Sequence, residues 1–285
     1  VICFRAVIYD GRWRGVHADH YRSPLGTLSA VRQEDRLGLI LERLNRNGSA
    51  GVAELASEFS VSEASIRRDL HMLEDQKLLS RTHGGAVASG VLYELPMRYR
   101  GGQRSEAKRA IARRTVELLP PEVTSVGLNG GSTTTEVARA LAQHPNLRVV
   151  TNALNIAADL AVRTNIRLVV SGGSARSSSY ELVGPLADAT LASVNLDVAI
   201  IGVDGVSALA GLTTHHEDEA HTNLAMIQVA ARVIVVADSS KIGRRDFARI
   251  AGLDAVHDLV TDSGARPADV DEIERLGVTV HRVDI

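Results

Sequence analysis

The hydrophobic period of the chain changes as it runs from its N-terminal third into the rest. From Arg32, Leu37, Ile40, Leu41 and Leu44 recur at spacings of three and four, the apolar face of a helix that Asn47-Gly48 ends. Gly51-Val52-Ala53-Glu54 opens a short second helix, with Glu54 near its positive end and Leu55, Ala56 and Phe59 available to pack on the first. Ser60-Val61-Ser62 makes a tight turn that buries Val61 and sets Ser62 as the N-cap of a third helix. Ile66, Leu70 and Leu73 form the buried stripe of that helix and turn Glu63, Ser65, Arg67 and Arg68 to its other faces. A hairpin follows: Leu78-Leu79 anchors its first strand, Arg81 and His83 reach outward, and Gly84-Gly85 is its turn.

Residues 88–104 mix Gly, Pro and Arg without a period and read as a linker, with Leu95-Pro96 limiting any helix and Gly101-Gly102 a flexible joint. A helix resumes at Ser105 with Ile111, Val116 and Leu119 apolar, and stops at Pro120-Pro121; Lys108 and Arg109 on it either approach a ligand or are solvated. Beyond it, β-branched runs at 123–128, 147–151, 167–171, 197–202 and 233–237 alternate with helical stretches at 134–142, 155–161 and 217–232. Runs near 259–261 and 278–283, with 270–276 between them, continue the alternation. That order predicts an α/β domain over 105–285, its parallel strands covered by helices, behind a small helical domain at 31–87.

Composition narrows the partners. The 45% hydrophobic content with only 3% aromatic residues calls for a core of Ala, Val, Leu and Ile. A net charge of −2 excludes a protein that coats nucleic acid indiscriminately, yet permits a local positive face. Cys3 alone supplies neither a disulfide nor a thiolate metal site, and His83 has no ligand partners at suitable spacing, so no metal or other cofactor is expected. No apolar run approaches the roughly 18 residues that span a bilayer. Residues 1–30 hold the only Trp, show no period and lack the order of a secretory signal. They read as a disordered or marginal extension, and the cytoplasm is the expected location.

Two sets of residues carry chemistry. A helix, a tight turn, a second helix with adjacent arginines and a basic hairpin are the parts of a winged helix-turn-helix, whose second helix enters the major groove of double-stranded DNA. Its DNA-facing candidates are Ser62, Glu63, Ser65, Arg67, Arg68, Arg81 and His83, with the arginines on phosphates or one of them forked onto guanine. Asp69 is placed to orient an arginine rather than to face phosphate. The second set lies at strand ends, where open α/β sheets hold ligands. Asn129-Gly130-Gly131-Ser132-Thr133-Thr134 joins a strand to a helix start and makes an anion cradle, without the lysine of a P-loop. Thr151-Asn152, Gly172-Gly173, Asp204-Gly205 and Asp238-Ser239-Ser240-Lys241 recur at other strand ends. Asp204 and Asp238 suit sugar hydroxyls and Lys241 a phosphate, which together predict one polyol-phosphate pocket.

The stretch Val61-Ser62-Glu63-Ala64-Ser65-Ile66-Arg67-Arg68-Asp69-Leu70 with Arg81-Thr82-His83-Gly84-Gly85-Ala86 resembles the DNA-binding signature of the DeoR family of bacterial transcriptional regulators. Ser65 stands where the family usually has Thr. The resemblance extends through Gly130–Thr134, Thr151-Asn152, Gly172-Gly173, Gly202-x-Asp204-Gly205, Gly211-Leu212-Thr213 and Asp238-Ser239-Ser240-Lys241, about residues 32–284 in all. It implies an effector domain of the ribose-5-phosphate isomerase and CoA-transferase-like kind, with Glu219 and Asn223 joining the pocket. Asn129 replaces an Asp and Asn223 a Lys that are frequent in the family, which alters the pocket's charge.

The resemblance also implies a repressor of a carbohydrate operon that a phosphorylated sugar releases from its operator. A single head touches few base pairs, so a homo-oligomer on repeated half-sites is expected. The alternatives are an activator of the same design and, less favoured, an isomerase-like enzyme drawing on Asp204, Glu219 and Lys241; a sensing role without turnover is the expectation.

Overall fold

Where the helical period is longest the backbone follows it. In the computed structural model, which describes residues 33–88 and 96–285, helix α1 (Gln33–Asn47) buries Leu37, Ile40, Leu41 and Leu44. The expected extension at 1–30 lies outside the described residues, as does the segment before Pro96. After α1 come β1 (Ser49–Gly51), α2 (Val52–Glu58), α3 (Glu63–Asp75), β2 (Leu79–Thr82) and β3 (Gly85–Ala88). Ile66, Leu70 and Leu73 of α3 meet Leu55 and Phe59 in one apolar core with α1, while Val61 is only half-buried.

The hairpin gains a third strand that the hydrophobic pattern does not show. The order is β1-β3-β2, with Gly51 facing Gly85 across the ladder. The turn is therefore His83-Gly84, and Gly85, expected in the turn, already belongs to β3. A Cβ at Gly85 would sit 2.1 Å from the Ala50 carbonyl oxygen, so the close approach of β1 demands glycine there.

The residues read as a linker are held on both sides. Met97 and Tyr99 form a buried 3-10 turn. Met97 N–H donates to the Ser178 carbonyl at 2.7 Å, and the Tyr99 hydroxyl donates to Gln76 at the end of α3. Gly38 of α1 lies so near Tyr99 that a Cβ would come 2.3 Å from its carbonyl oxygen. Gln103 donates to Glu42 of α1 at 3.2 Å. Two large apolar side chains in a polar segment gain more from burial against α1 than from solvent exposure.

The remainder is α4 (Ser105–Glu117), β4 (Ser125–Leu128), α5 (Ser132–Leu141), β5 (Leu147–Thr151), α6 (Leu154–Ala161), β6 (Ile166–Val170), β7 (Ser174–Ala175), β8 (Leu182–Val183), α7 (Pro185–Ala192), β9 (Leu196–Gly202) and β10 (Gly205–Ser207). It continues with β11 (Gly211–Thr214), α8 (Glu217–Gln228), β12 (Ala230–Val236), β13 (Ala248–Ala251), β14 (Asp258–Asp262), α9 (Pro267–Glu274) and β15 (Thr279–Val283). Among the described residues, a parallel sheet runs β15-β14-β12-β9-β4-β5-β6. A small antiparallel sheet, β10-β11-β13, stands apart from it.

Along β9, Val198 and Ile200 enter one core while Ala199 and Ile201 enter the other, which explains why the strand reads as an unbroken apolar run. Helix α8 stops at Gln228, short of the expected 232. Ala230 and Arg232 instead pair with Leu196 and Val198 of β9, so sheet pairing overrides the helix preference of Ala-Ala-Arg. The chain leaves β4 toward β5 and β6, then returns to build β9, β12, β14 and β15 on the other side. The order reverses between β4 and β9, and the carboxyl ends of these two strands frame a crevice.

Candidate functional sites

The first site is the outer surface of α3 and the hairpin. Ser62 caps α3 by accepting the Ser65 N–H at 3.2 Å, and the two hydroxyl oxygens lie 2.9 Å apart. Glu63 is exposed and holds Arg67 at 2.6 Å across one helical turn. Arg68 is exposed and has no ion-pair partner among the described residues. Arg81 stands 3.6 Å from Glu74, and His83 is exposed at the tip of the hairpin. Glu63, Arg67, Arg81 and His83 line a shallow cleft of about 260 Å³ between helix and hairpin. Asp69 is fully buried beneath them, accepting from Arg36 at 2.6 Å and Gln33 at 2.9 Å, so it ties α3 to α1.

The second site is a cleft of about 690 Å³ at the crevice between β4 and β9. Its floor is the loop Asn129–Thr133 entering α5. No side chain caps that helix, whose N-cap is Gly131, and its first residues, Ser132 and Thr133, line the cleft, which leaves its leading N–H groups without a side-chain partner there. Lys108 of α4 is buried close by, donating to the Arg100 carbonyl at 2.7 Å. Burial pulls its ammonium down to about 8, with Asp238 opposing that shift and Lys241 and Arg100 adding to it.

Asp204 follows β9 and is the electrostatic centre of the cleft. Lys241 lies 3.1 Å away, Arg100 3.5 Å, and His215 3.8 Å. Burial would raise the carboxyl, but the Lys241 and Arg100 cations, with the nearby His215 adding to them, outweigh it and hold it well below the usual carboxylate range. Thr214 has its hydroxyl oxygen 3.1 Å from both Asp204 Oδ2 and Glu219 Oε2, and Arg176 closes an ion pair on the other Glu219 oxygen. Asp238 accepts the Ser240 N–H at 3.0 Å and has Arg104 at 3.6 Å. Helix α1 forms part of the wall, through Glu42, Asn45 and Arg46.

The cleft gathers Asn129, Gly130, Gly131, Ser132, Thr133, Asp204, Glu219, Asn223, Asp238 and Lys241. Five other expected members do not line it. Thr134 and Thr151 are fully buried, with their hydroxyls donated to the Gly131 and Leu128 carbonyls. Asn152 is buried and donates to the Leu182 carbonyl, fixing β8 rather than a ligand. Gly172 and Gly173 serve the backbone turn after β6, where a Cβ on Gly173 would meet the Val183 carbonyl at 2.7 Å.

Asn129 lines the cleft, and both ends of its amide are tied to Gly202. Nδ2 donates to the Gly202 carbonyl at 2.9 Å and Oδ1 accepts the Gly202 N–H at 2.8 Å. A carboxylate could not donate to that carbonyl, so Asn at this position joins the ends of β4 and β9.

Sequence reasoning missed Arg100, Arg104, Arg176, Glu181 and His215, and it left Lys108 undecided. Arg100, Arg104 and Lys108 all line the cleft, but Arg100 and Arg104 precede α4, so no helical period marks the three as a set. Glu181 gave only a weak signal, an acid directly before the apolar pair Leu182-Val183.

Comparison with known proteins places both halves of the chain in one family. Residues 36–89 match the DeoR-like helix-turn-helix domain and residues 103–263 the DeoR C-terminal sensor domain. The chain is 38% identical over 247 residues to the HTH-type transcriptional regulator GlpR of Haloferax volcanii, covering 86% of this chain and 96% of that protein. It is 34% identical over 233 residues to the glycerol-3-phosphate regulon repressor of Escherichia coli K12, covering 82% and 92%. A looser likeness joins it to ribose 5-phosphate isomerase A of Neisseria gonorrhoeae, at 21% identity and TM-score 0.37 over 52% of this chain and 56% of that one; it decides nothing about activity. With a DeoR-type helix-turn-helix ahead of a DeoR sensor domain, the chain belongs to the DeoR family of transcriptional regulators.

Proposed function

We propose that the chain is a cytoplasmic repressor of a carbohydrate operon, released from its operator by a phosphorylated sugar or polyol. Residues 31–87 serve as the DNA-reading head and 105–285 as the sensor. Ser65, Arg67 and Arg68 meet the major groove, while Arg81 and His83 meet the backbone or the minor groove beside it. Two or more copies act together, since one head spans few base pairs.

The observation that carries the effector reading is the uncapped start of α5 beside the buried Lys108. A helix start and a buried ammonium together suit a phosphate, and the Asp204–Thr214–Glu219 chain beside them suits sugar hydroxyls. Because α1 of the head lines the same cleft, a ligand that binds better to one head position shifts the population toward it. Turnover is disfavoured: neighbouring cations hold Asp204 ionised and make it a poor proton acceptor, and Glu219 is tied to Arg176 by an ion pair.

The test is binding of the purified protein to its own upstream intergenic DNA, titrated with sugar phosphates and the parent sugars. Specific binding that one phosphate ester releases is the expected result. Tighter binding with the ester replaces repressor by activator. Specific binding that no ester changes removes the effector assignment, and the absence of specific binding removes the regulator of this operon.

A further inference from the structure

Two polar groups in the cleft lack partners among the described residues. Glu181 is 3% exposed and its Oε2 meets no hydrogen-bonding atom; Asn223 is 2% exposed and its Oδ1 is likewise unpaired. Both line the cleft. A buried polar atom without a partner is costly, so two of them lining one cleft point to a ligand that satisfies them. Asn223 lies one helical turn beyond Glu219 on α8, and so on the same face.

The surroundings of Glu181 define what it can offer. Burial raises its carboxyl well above the ordinary range, Glu219 and Asp204 raise it further, and the Gly130 N–H and the Arg176 guanidinium oppose them only in part. Burial and these acidic neighbours thus favour the protonated form of Glu181, which can donate a hydrogen bond. Asn223 Oδ1 can only accept. A hydroxyl is the simplest group that takes the first bond and gives the second.

We propose that Glu181 and Asn223 form a hydroxyl-reading subsite that selects a phosphate ester with a neutral polyhydroxylated chain over one ending in a carboxylate. The proposal rests on the effector reading above, and it specifies the part of the ligand that the phosphate site does not see. A ligand carboxylate placed here would face Glu219 and Asp204, whereas a hydroxyl meets a donor and an acceptor. Discrimination thus comes from polar atoms left unpaired or repelled by the wrong ligand.

The experiment is calorimetric titration of the full chain with inorganic phosphate, sorbitol 6-phosphate and 6-phosphogluconate. The two esters share a carbon chain and differ at its far end, hydroxymethyl against carboxylate. Wild type should bind sorbitol 6-phosphate at least about tenfold more tightly than 6-phosphogluconate and than phosphate. Glu181→Met, similar in size but without a donor, should lose about tenfold toward sorbitol 6-phosphate relative to phosphate. Glu181→Gln, which keeps a donor, should recover most of that loss, and thermal unfolding checks that both variants fold.

Equal losses toward phosphate and ester in Glu181→Met, no loss, or a wild-type preference for 6-phosphogluconate would overturn the subsite. Any of these with phosphate still bound leaves the phosphate site standing. Wild type that binds neither phosphate nor ester overturns the effector reading and the subsite together.

Discussion

The two charged regions of this protein are built in opposite ways. On α3 and the hairpin, Arg67, Arg68, Arg81 and His83 stand in solvent, two on the helix and two on the hairpin, and what pairing they have is local, as between Glu63 and Arg67. In the cleft, Asp204, Lys241, Arg100 and His215 come from separate parts of the chain and are largely withdrawn from water around one carboxylate. The first region keeps its charges available for a polyanion that arrives from outside. The second compensates its charges internally, so they support the fold as well as the ligand. Removing a charge should therefore cost affinity without stability in the head, and stability in the cleft.

The largest effect tests the cleft. Asp204→Ala leaves Lys241 and Arg100 without their shared counter-charge in a mostly buried setting, and breaking such a pair costs about 3–5 kcal/mol. Urea unfolding should show the midpoint falling with an unchanged slope. A midpoint equal to wild type would mean that solvent already screens these charges, and the contrast between the two regions would collapse.

The head should respond the other way. Arg68→Ala should weaken operator binding by roughly 1–3 kcal/mol, the range of one specific base or phosphate contact, while the unfolding midpoint stays within about 0.5 kcal/mol. Arg67→Ala should cost less, because Glu63 already offsets part of that charge. A fluorescence titration at fixed salt reads both. If Arg67→Ala proves the more damaging, the Glu63 pair is positioning Arg67 on a base edge rather than damping it.

The same difference decides what the amino-acid pattern could reveal. The head is a local object. Its cap at Ser62, its stripe Ile66-Leu70-Leu73 and its arginines lie within a few turns of one another, so spacing alone locates them. Only β1 escaped, because Ser-Ala-Gly has no strand pattern and pairs through backbone to Gly85. The parallel strands were legible as apolar runs, and the Gly-rich floor of the cleft as a strand-to-helix loop. The cleft's walls were not, since membership there depends on sheet order.

Thr151-Asn152 and Gly172-Gly173 end β5 and β6, on the far side of β4 from β9, and so fall beside the crevice rather than in it. Arg176 and Glu181 come from segments around the short strands β7 and β8, which have no periodic signature. Arg100 was hidden inside a stretch that reads as linker until Met97 and Tyr99 are seen buried against both halves.

The subtlest test lies in Lys108, which belongs to the cleft yet, on the effector reading proposed above, carries charge for an incoming anion as the head residues do. Its ammonium titrates near 8 in the free protein, lowered chiefly by burial. Only the charged form attracts phosphate. Affinity should therefore be flat between about pH 7 and about 8 and fall above it, by up to about tenfold per pH unit, until the pH reaches the higher value that a bound anion imposes on the same group. A phosphate monoester loses its second proton near pH 6, so the ligand is a dianion throughout this window and contributes no slope. Asp238, Lys241, Arg100 and Glu136 are the charged groups that bear on Lys108. Lys108→Met should bind the ester more weakly at pH 7 and show no decline between pH 7.5 and 9.5, read by the same calorimetric titration. A decline that persists in Lys108→Met would place the titrating group elsewhere in the cleft and take Lys108 out of the phosphate site.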